Sequence, residues 1–177
     1  GLAVTTIVSN SGPTGNDSQK PYVLDDSPNG ETRYRAAFYV DANNLNIPAA
    51  GTQFRKAKFH VAQCFSGECE GGNVTVWRLV NRAAAGDPVD VGIEFWVRDD
   101  NVPGDNPRFK KRTTGFDIPD SGAQRIEYDL DITAGTMKVW LNAAAETDPQ
   151  VTLPSEFSSL DLTPWAAGIK RARLGFI

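Results

Sequence analysis

Asp87-Pro88-Val89-Asp90-Val91-Gly92-Ile93-Glu94-Phe95-Trp96-Val97-Arg98 alternates apolar and polar side chains along its length. Val89, Val91, Ile93, Phe95 and Val97 fall on one side, and Asp90, Glu94, Trp96 and Arg98 on the other. This is the period of a β-strand with one buried face.

The same pattern recurs later in the chain. Between Arg125 and Ile132, Ile126, Tyr128, Leu130 and Ile132 alternate with Arg125, Glu127, Asp129 and Asp131. From Thr136 to Asn142, Met137, Val139 and Leu141 oppose Lys138, Trp140 and Asn142. The intervening Thr133-Ala134-Gly135 suits a tight turn, so these two strands are expected to be antiparallel neighbours. Further strands are predicted at Thr32–Asp41, Arg55–Phe65, Asn73–Val80, Arg108–Phe116 and Lys170–Phe176, separated by stretches rich in Gly, Pro, Asn and Asp. The one helical turn expected lies near Pro154–Leu160. The predicted class is all-β, a two-sheet antiparallel β-sandwich of jelly-roll type. A length of 177 residues fits a single domain over residues 1–177. Residues 1–20, polar from Ser9 to Gln19, read as a flexible or strand-donating lead-in. The apolar end Leu174-Gly175-Phe176-Ile177 needs burial, which a closing strand inside a sheet would supply.

Composition narrows the function classes. Hydrophobic residues make up 40% of the chain, with nine Phe, four Trp and four Tyr, enough for a substantial core. The net charge of −4 offers no long-range attraction for nucleic acid or an anionic membrane. The basic clusters at Lys110, Lys111 and Arg112 and at Lys170, Arg171 and Arg173 are too short to reverse that expectation. No stretch is long and apolar enough for a membrane helix. The sequence opens on Gly1-Leu2-Ala3-Val4 without Met, as a processed product would, although an artificial start would look the same. Cys64 and Cys69 are separated by four intervening residues, Gly67 among them, close enough for the chain to fold back into a disulfide. His60 is the only histidine and there is no second Cys pair, so a tetrahedral metal site has too few ligands. A disulfide in turn points to an oxidising compartment: secreted, periplasmic or cell-surface.

Arg33-Tyr34-Arg35-Ala36-Ala37-Phe38-Tyr39-Val40-Asp41, Arg125-Ile126-Glu127-Tyr128-Asp129-Leu130-Asp131, Met137-Lys138-Val139-Trp140-Leu141-Asn142 and Arg171-Ala172-Arg173-Leu174-Gly175-Phe176 follow one another in an order that resembles the concanavalin A-like lectin and glucanase superfamily, including laminin-G-type jelly rolls. The resemblance spans roughly Thr32 to Ile177 and is carried by hydrophobic pattern. Asn142-Ala143 stands where that superfamily commonly has Asp-Gly. The resemblance implies sugar binding, adhesion or glycan cleavage.

Three constellations are candidates for chemistry. Glu127, Asp129 and Asp131 share one strand face at about 7 Å intervals, a spacing that suits glycoside hydrolysis. The motif is similar to the acidic strand of the superfamily's retaining glucanases, with Asp131 where a second glutamate is expected; the alternative is a solvated strand face. Trp96 and Trp140 fall on the polar faces of their strands, and Trp77 is expected to do the same. With Glu94, Arg98 and Asn142 beside them they would form a platform for stacking on sugar rings, unless loops cover them. Asp99, Asp100, Asn101 and Asp105 supply the hard oxygen ligands that calcium prefers, or else make side-chain turns. Asn73-Val74-Thr75 matches a glycosylation acceptor.

These features lead to three readings. The first is a non-catalytic glycan-binding or adhesion module, which demands the least exact chemistry. The second is a structural subunit of an extracellular filament or surface layer that pairs strands with other subunits, including copies of itself. The third is a glycoside hydrolase or lyase. Glycans or other subunits are the expected partners, without nucleic acid or membrane insertion.

Overall fold

The alternating segments become strands that pair antiparallel throughout. A computed structural model describes residues 22–42, 56–65, 67, 69, 72–83, 90–104, 110–119 and 121–175. Among these residues the strands are β1 (Tyr22–Asp25), β2 (Arg33–Val40), β3 (Lys56–Gln63), β4 (Asn73–Asn81), β5 (Val91–Arg98), β6 (Lys111–Asp117), β7 (Gln124–Asp131), β8 (Thr136–Leu141) and β9 (Arg171–Gly175). One sheet has the order β1-β9-β3-β4-β5-β6 and the other β2-β7-β8. The two sheets make an all-β sandwich, as the alternation predicts. A 3-10 turn at Ser155–Ser158 stands where the helical turn was expected. The short edge strand β1 was not foreseen; it places β9 inside its sheet, between β1 and β3. Phe176, Ile177, Val89 and residues 1–20, all of which figured in the sequence reading, lie outside the described residues. No helix among the described residues is long and apolar enough to cross a membrane.

The core is aromatic, and it joins the two sheets. Trp77 of β4 stacks on Phe95 of β5 (centroids 4.3 Å apart) and, from the opposite sheet, on Tyr128 of β7 (4.9 Å). Phe38 of β2 meets Phe59, His60 and Trp77 at 5.2–5.8 Å. Offset and edge contacts of this kind contribute beyond the area they bury. Register shifts in β3 between Lys58 and His60, and opposite Val74 in β4, let consecutive residues Phe59 and His60 both point inward.

The sheets are unequal, and the flanks of the larger one are finished differently. The β5 flank is capped by the chain after β8, whose Phe157 packs 5.5 Å from Phe95 and whose Leu160, Leu162 and Trp165 are buried. The β1–β9 flank has no such cap among the described residues. Cys64 and Cys69 form the expected disulfide, with Cα atoms 5.9 Å apart. It closes a small loop, for which the chain-entropy contribution is about 2 kcal/mol.

The turn between β7 and β8 gives a direct check of this packing. Gly135 has φ +64°, and a Cβ added there would stand 2.2 Å from the Leu160 carbonyl oxygen, which belongs to the capping segment. Gly122 has φ +77° and open space around it. Gly135→Ala should therefore cost about 2–4 kcal/mol and Gly122→Ala about 1 kcal/mol. Urea midpoints of the two variants decide it, and equal losses would refute the contact.

Candidate functional site

The acidic strand is the catalytic candidate of the sequence. Glu127 and Asp129 lie on the outward face of the three-stranded sheet, yet both are buried. Arg35 and Arg125 each donate to a different oxygen of Glu127. Arg33 grips Asp129 through Nη2 (2.6 Å) and Nε (3.1 Å). Arg35 also reaches Glu146 at 2.8 Å, and Asp131 caps the following turn by accepting from the Ala134 amide at 2.8 Å. The carboxylates are thus parts of a lattice that ties β2 to β7. They are not an open acid pair.

The tryptophans separate, which corrects the shared platform. Trp77 is fully buried on the inward face. β4 is covered on both sides, so the phase set by Val74 and Val76 misleads: Val76 faces outward, packed with Val61 and Trp96 in a small second cluster. Trp96 is on the outward face of the six-stranded sheet and only 6% exposed. The cations of Arg98 and Lys111 sit 5.1 and 5.0 Å from its ring centroid. Trp140 is 1% exposed on the outward face of the other sheet, under Arg35 at 5.3 Å. Trp140 and Glu127 occupy paired positions, but Trp96 is on the far side of the sandwich. The Nε1–H groups of Trp77, Trp96 and Trp140 are buried without an acceptor among the described residues.

The remaining candidates have structural partners. Glu94 accepts from Lys56 at 2.7 Å and from Arg78 at 3.3 Å. Arg98 donates to the Asn73 carbonyl at 2.9 Å. Asn142, at φ +54°, accepts from the Arg125 amide at 2.8 Å and closes the β7–β8 pair. Asp99 takes the Asn101 amide, the Asp161 amide and Arg112 Nε at 3.0, 2.9 and 2.6 Å. Asp100 pairs with Lys110 at 3.0 Å. The expected calcium loop is thus bound to its own side chains and backbone, and no cluster of three metal-ligating side chains occurs among the described residues. Asp105 lies outside them.

What the sequence did not reveal is a cleft of about 510 Å³ on the uncapped flank, a volume typical of ligand pockets. The inward residues of β1 and β9, among them Val23, Ala172 and Leu174, form one wall. Edge strand β2, through Tyr34 and Ala36, forms the other, with His60 also lining the space. Leu24 and Leu174 are 41% and 38% exposed. A second hollow, of about 460 Å³, lies beside Lys56, Arg82 and Glu94, but its charges are already paired with one another or with Asp117.

His60 links the cleft to the core. Its Nδ1 lies 2.9 Å from the Arg173 carbonyl, which can only accept, so Nδ1 carries the proton. Nε2 then accepts from the Tyr128 hydroxyl at 2.7 Å. Burial holds the imidazole neutral, lowering its pKa to about 4 against the Nδ1–H bond to Arg173, and raises that of Tyr128 well above the usual range. Burial, with a smaller contribution from Asp25, pushes Tyr34 to about 12.

Comparison with family models, with curated proteins and with solved structures returns no match to this chain.

The His60 environment predicts an acid-labile fold. The unfolded imidazole takes up a proton near pH 6.5 and the folded one only near pH 4, so the stabilisation is complete above pH 6.5 and falls away between those values. The loss amounts to about 3 kcal/mol. Urea unfolding from pH 7 to 4 should show this slope, and His60→Gln should flatten it. An unchanged slope in the variant would assign the effect elsewhere.

Proposed function

We propose that this domain is a building block of an assembly outside the reducing cytosol, and that it joins its partner by β-strand addition along β2. The observation that carries this reading is an edge strand that pairs on one side only among the described residues, beside an apolar cleft. β2 pairs with β7 through eight consecutive positions without a register shift, and its sequence has neither Pro nor Gly. Natural sheets usually blunt such edges with bulges, prolines or charges. Of the other edges, β1 has four residues, β6 is interrupted by Gly115, and β8 is met by Val151, whose amide donates to Val139 at 2.8 Å; charge does not distinguish them, since β2 carries Arg33 and Arg35, both held to carboxylates on its outward face.

The ladder also identifies the free groups. Ile132 donates to the Thr32 carbonyl, so the alternate residues Tyr34, Ala36 and Phe38 exchange hydrogen bonds with β7. Arg33, Arg35, Ala37 and Tyr39 then direct their backbone groups to the other edge, which meets no strand among the described residues. An incoming strand would bond to these and set every second side chain into the cleft against Val23, Ala172 and Leu174. Glycan binding would need an indole face open to solvent, and those of Trp96 and Trp140 are covered by cations. Hydrolysis would need carboxylates able to reach a substrate, and Glu127 and Asp129 are held by arginines.

An acetylated peptide, Val-Thr-Val-Thr-Val-Thr-Val, should saturably slow hydrogen exchange at the Arg33, Arg35, Ala37 and Tyr39 amides. Ala37→Pro removes one free edge N–H without breaking the β2–β7 ladder and should abolish the protection. If these amides exchange rapidly in the chain alone and just as rapidly with peptide, the reading is wrong.

A further inference from the structure

We infer that the strand β2 accepts is Leu2–Val8 of a second copy of this chain, which makes the domain self-complementary. This rests on the strand-addition reading above and names its partner.

The first argument is complementarity of pattern. Leu2-Ala3-Val4-Thr5-Thr6-Ile7-Val8 is free of charge and contains five β-branched residues in succession, Val4 to Val8, a composition suited to strands. Alternation puts Leu2, Val4, Thr6 and Val8 on one side, three of the four being apolar, and leaves Ala3, Thr5 and Ile7 on the other. The cleft asks for this: apolar side chains at every second position, opposite Val23, Ala172 and Leu174. The lengths agree as well. The free edge groups span Arg33 to Tyr39, seven residues, as does Leu2–Val8.

The second argument is the tether. Between Val8 and β1 lie residues 9–21, Ser-Asn-Ser-Gly-Pro-Thr-Gly-Asn-Asp-Ser-Gln-Lys-Pro. A return into the same molecule's cleft, next to β1, needs a turn of about 2–5 residues. These thirteen residues, nine of them polar, can instead extend about 43 Å, far more than such a turn needs and enough to cross to a second copy. A chain bearing a donor strand at one place and an acceptor cleft at another associates head to tail, and such heterologous contacts build open chains unless the rotation closes a ring.

Two full-length variants separate the halves of the interface. Val4→Asp puts a carboxylate among the donor's inward residues and leaves the cleft intact. Ala37→Pro spoils the acceptor edge and leaves the donor intact; Ala36→Asp, which charges the cleft wall, serves if Ala37→Pro does not fold by circular dichroism. In sedimentation velocity the unsubstituted chain should form species that lengthen with concentration, and each variant alone should be monomeric. Their mixture should give a one-to-one dimer and nothing larger, because only one productive junction exists. An unsubstituted chain that stays monomeric with protected Arg35 and Ala37 amides would overturn the inference in favour of closure within one molecule. Oligomers of Val4→Asp indistinguishable from the unsubstituted chain would overturn it too. If Val4→Asp binds the Val-Thr peptide but yields no mixed dimer, strand addition stands and the second copy as its source falls. If the peptide also fails, both readings fall together.

Discussion

The hydrogen bond from Tyr128 to His60 is a buried polar link through the middle of the sandwich, and the surrounding packing is arranged to make it affordable. A buried imidazole and a buried phenol each lose hydration, and either left alone would cost about 1–3 kcal/mol. Here every polar atom of the pair has a partner: Nδ1–H donates to Arg173, Nε2 accepts from Tyr128, and both groups are neutral. The bond fixes the relative position of β3 and β7, which belong to different sheets. Trp77 then fits between Phe95 and Tyr128 in parallel planes. The bulge at Phe59 is the geometric means, since it turns His60 toward the core while Phe59 also remains inside.

Six strands facing three leave apolar surface on both flanks of the larger sheet, and each flank must meet something. On the β5 side the requirement is met within the described chain, by Phe157, Leu160, Leu162 and Trp165. On the β1–β9 side, Val23, Ala172 and Leu174 face the cleft beside β2. The imbalance is therefore specific to one place and one size. A single added strand would extend the smaller sheet and cover the exposed wall of the larger one.

Much of the architecture could be read from alternation because β5, β7 and β8 carry apolar side chains on the inward face and mostly polar ones on the outward face. β7 and β8, the Gly135 turn between them, and the inward set Ile93, Phe95 and Val97 of β5 all follow from that pattern. It fails where its premise fails. β4 is covered on both sides, so Val74, Val76 and Trp77 carry no phase, and Trp77 was placed on the wrong face. β1 is too short for a period of two to register. Candidate sites suffered from a related gap: sequence puts Glu127, Asp129, Trp96 and Trp140 on outward faces correctly, but it cannot show that Arg33, Arg35, Arg98, Arg125 and Lys111 fold over them. The cleft left no local signal, because its walls come from β1, β2 and β9, which are distant in sequence and lie in different sheets.

The arginine–carboxylate lattice bears on assembly through the stiffness of β2. An edge strand has hydrogen bonds on one side only and tends to fray, which would cost an incoming strand the entropy of ordering it. Arg33 reaches diagonally to Asp129, two positions from its direct partner Asp131, and Arg35 reaches in the same way to Glu127. Arg35 continues to Glu146 and covers Trp140. These contacts brace β2 from its outward face and engage none of the backbone groups at the edge away from β7. As single surface ion pairs they would contribute little to stability, but joined across two strands they hold an unpaired edge in one register. Chemistry that in sequence resembles a catalytic strand thus serves in the fold to hold β2 straight, which is what the proposed acceptor role asks of it.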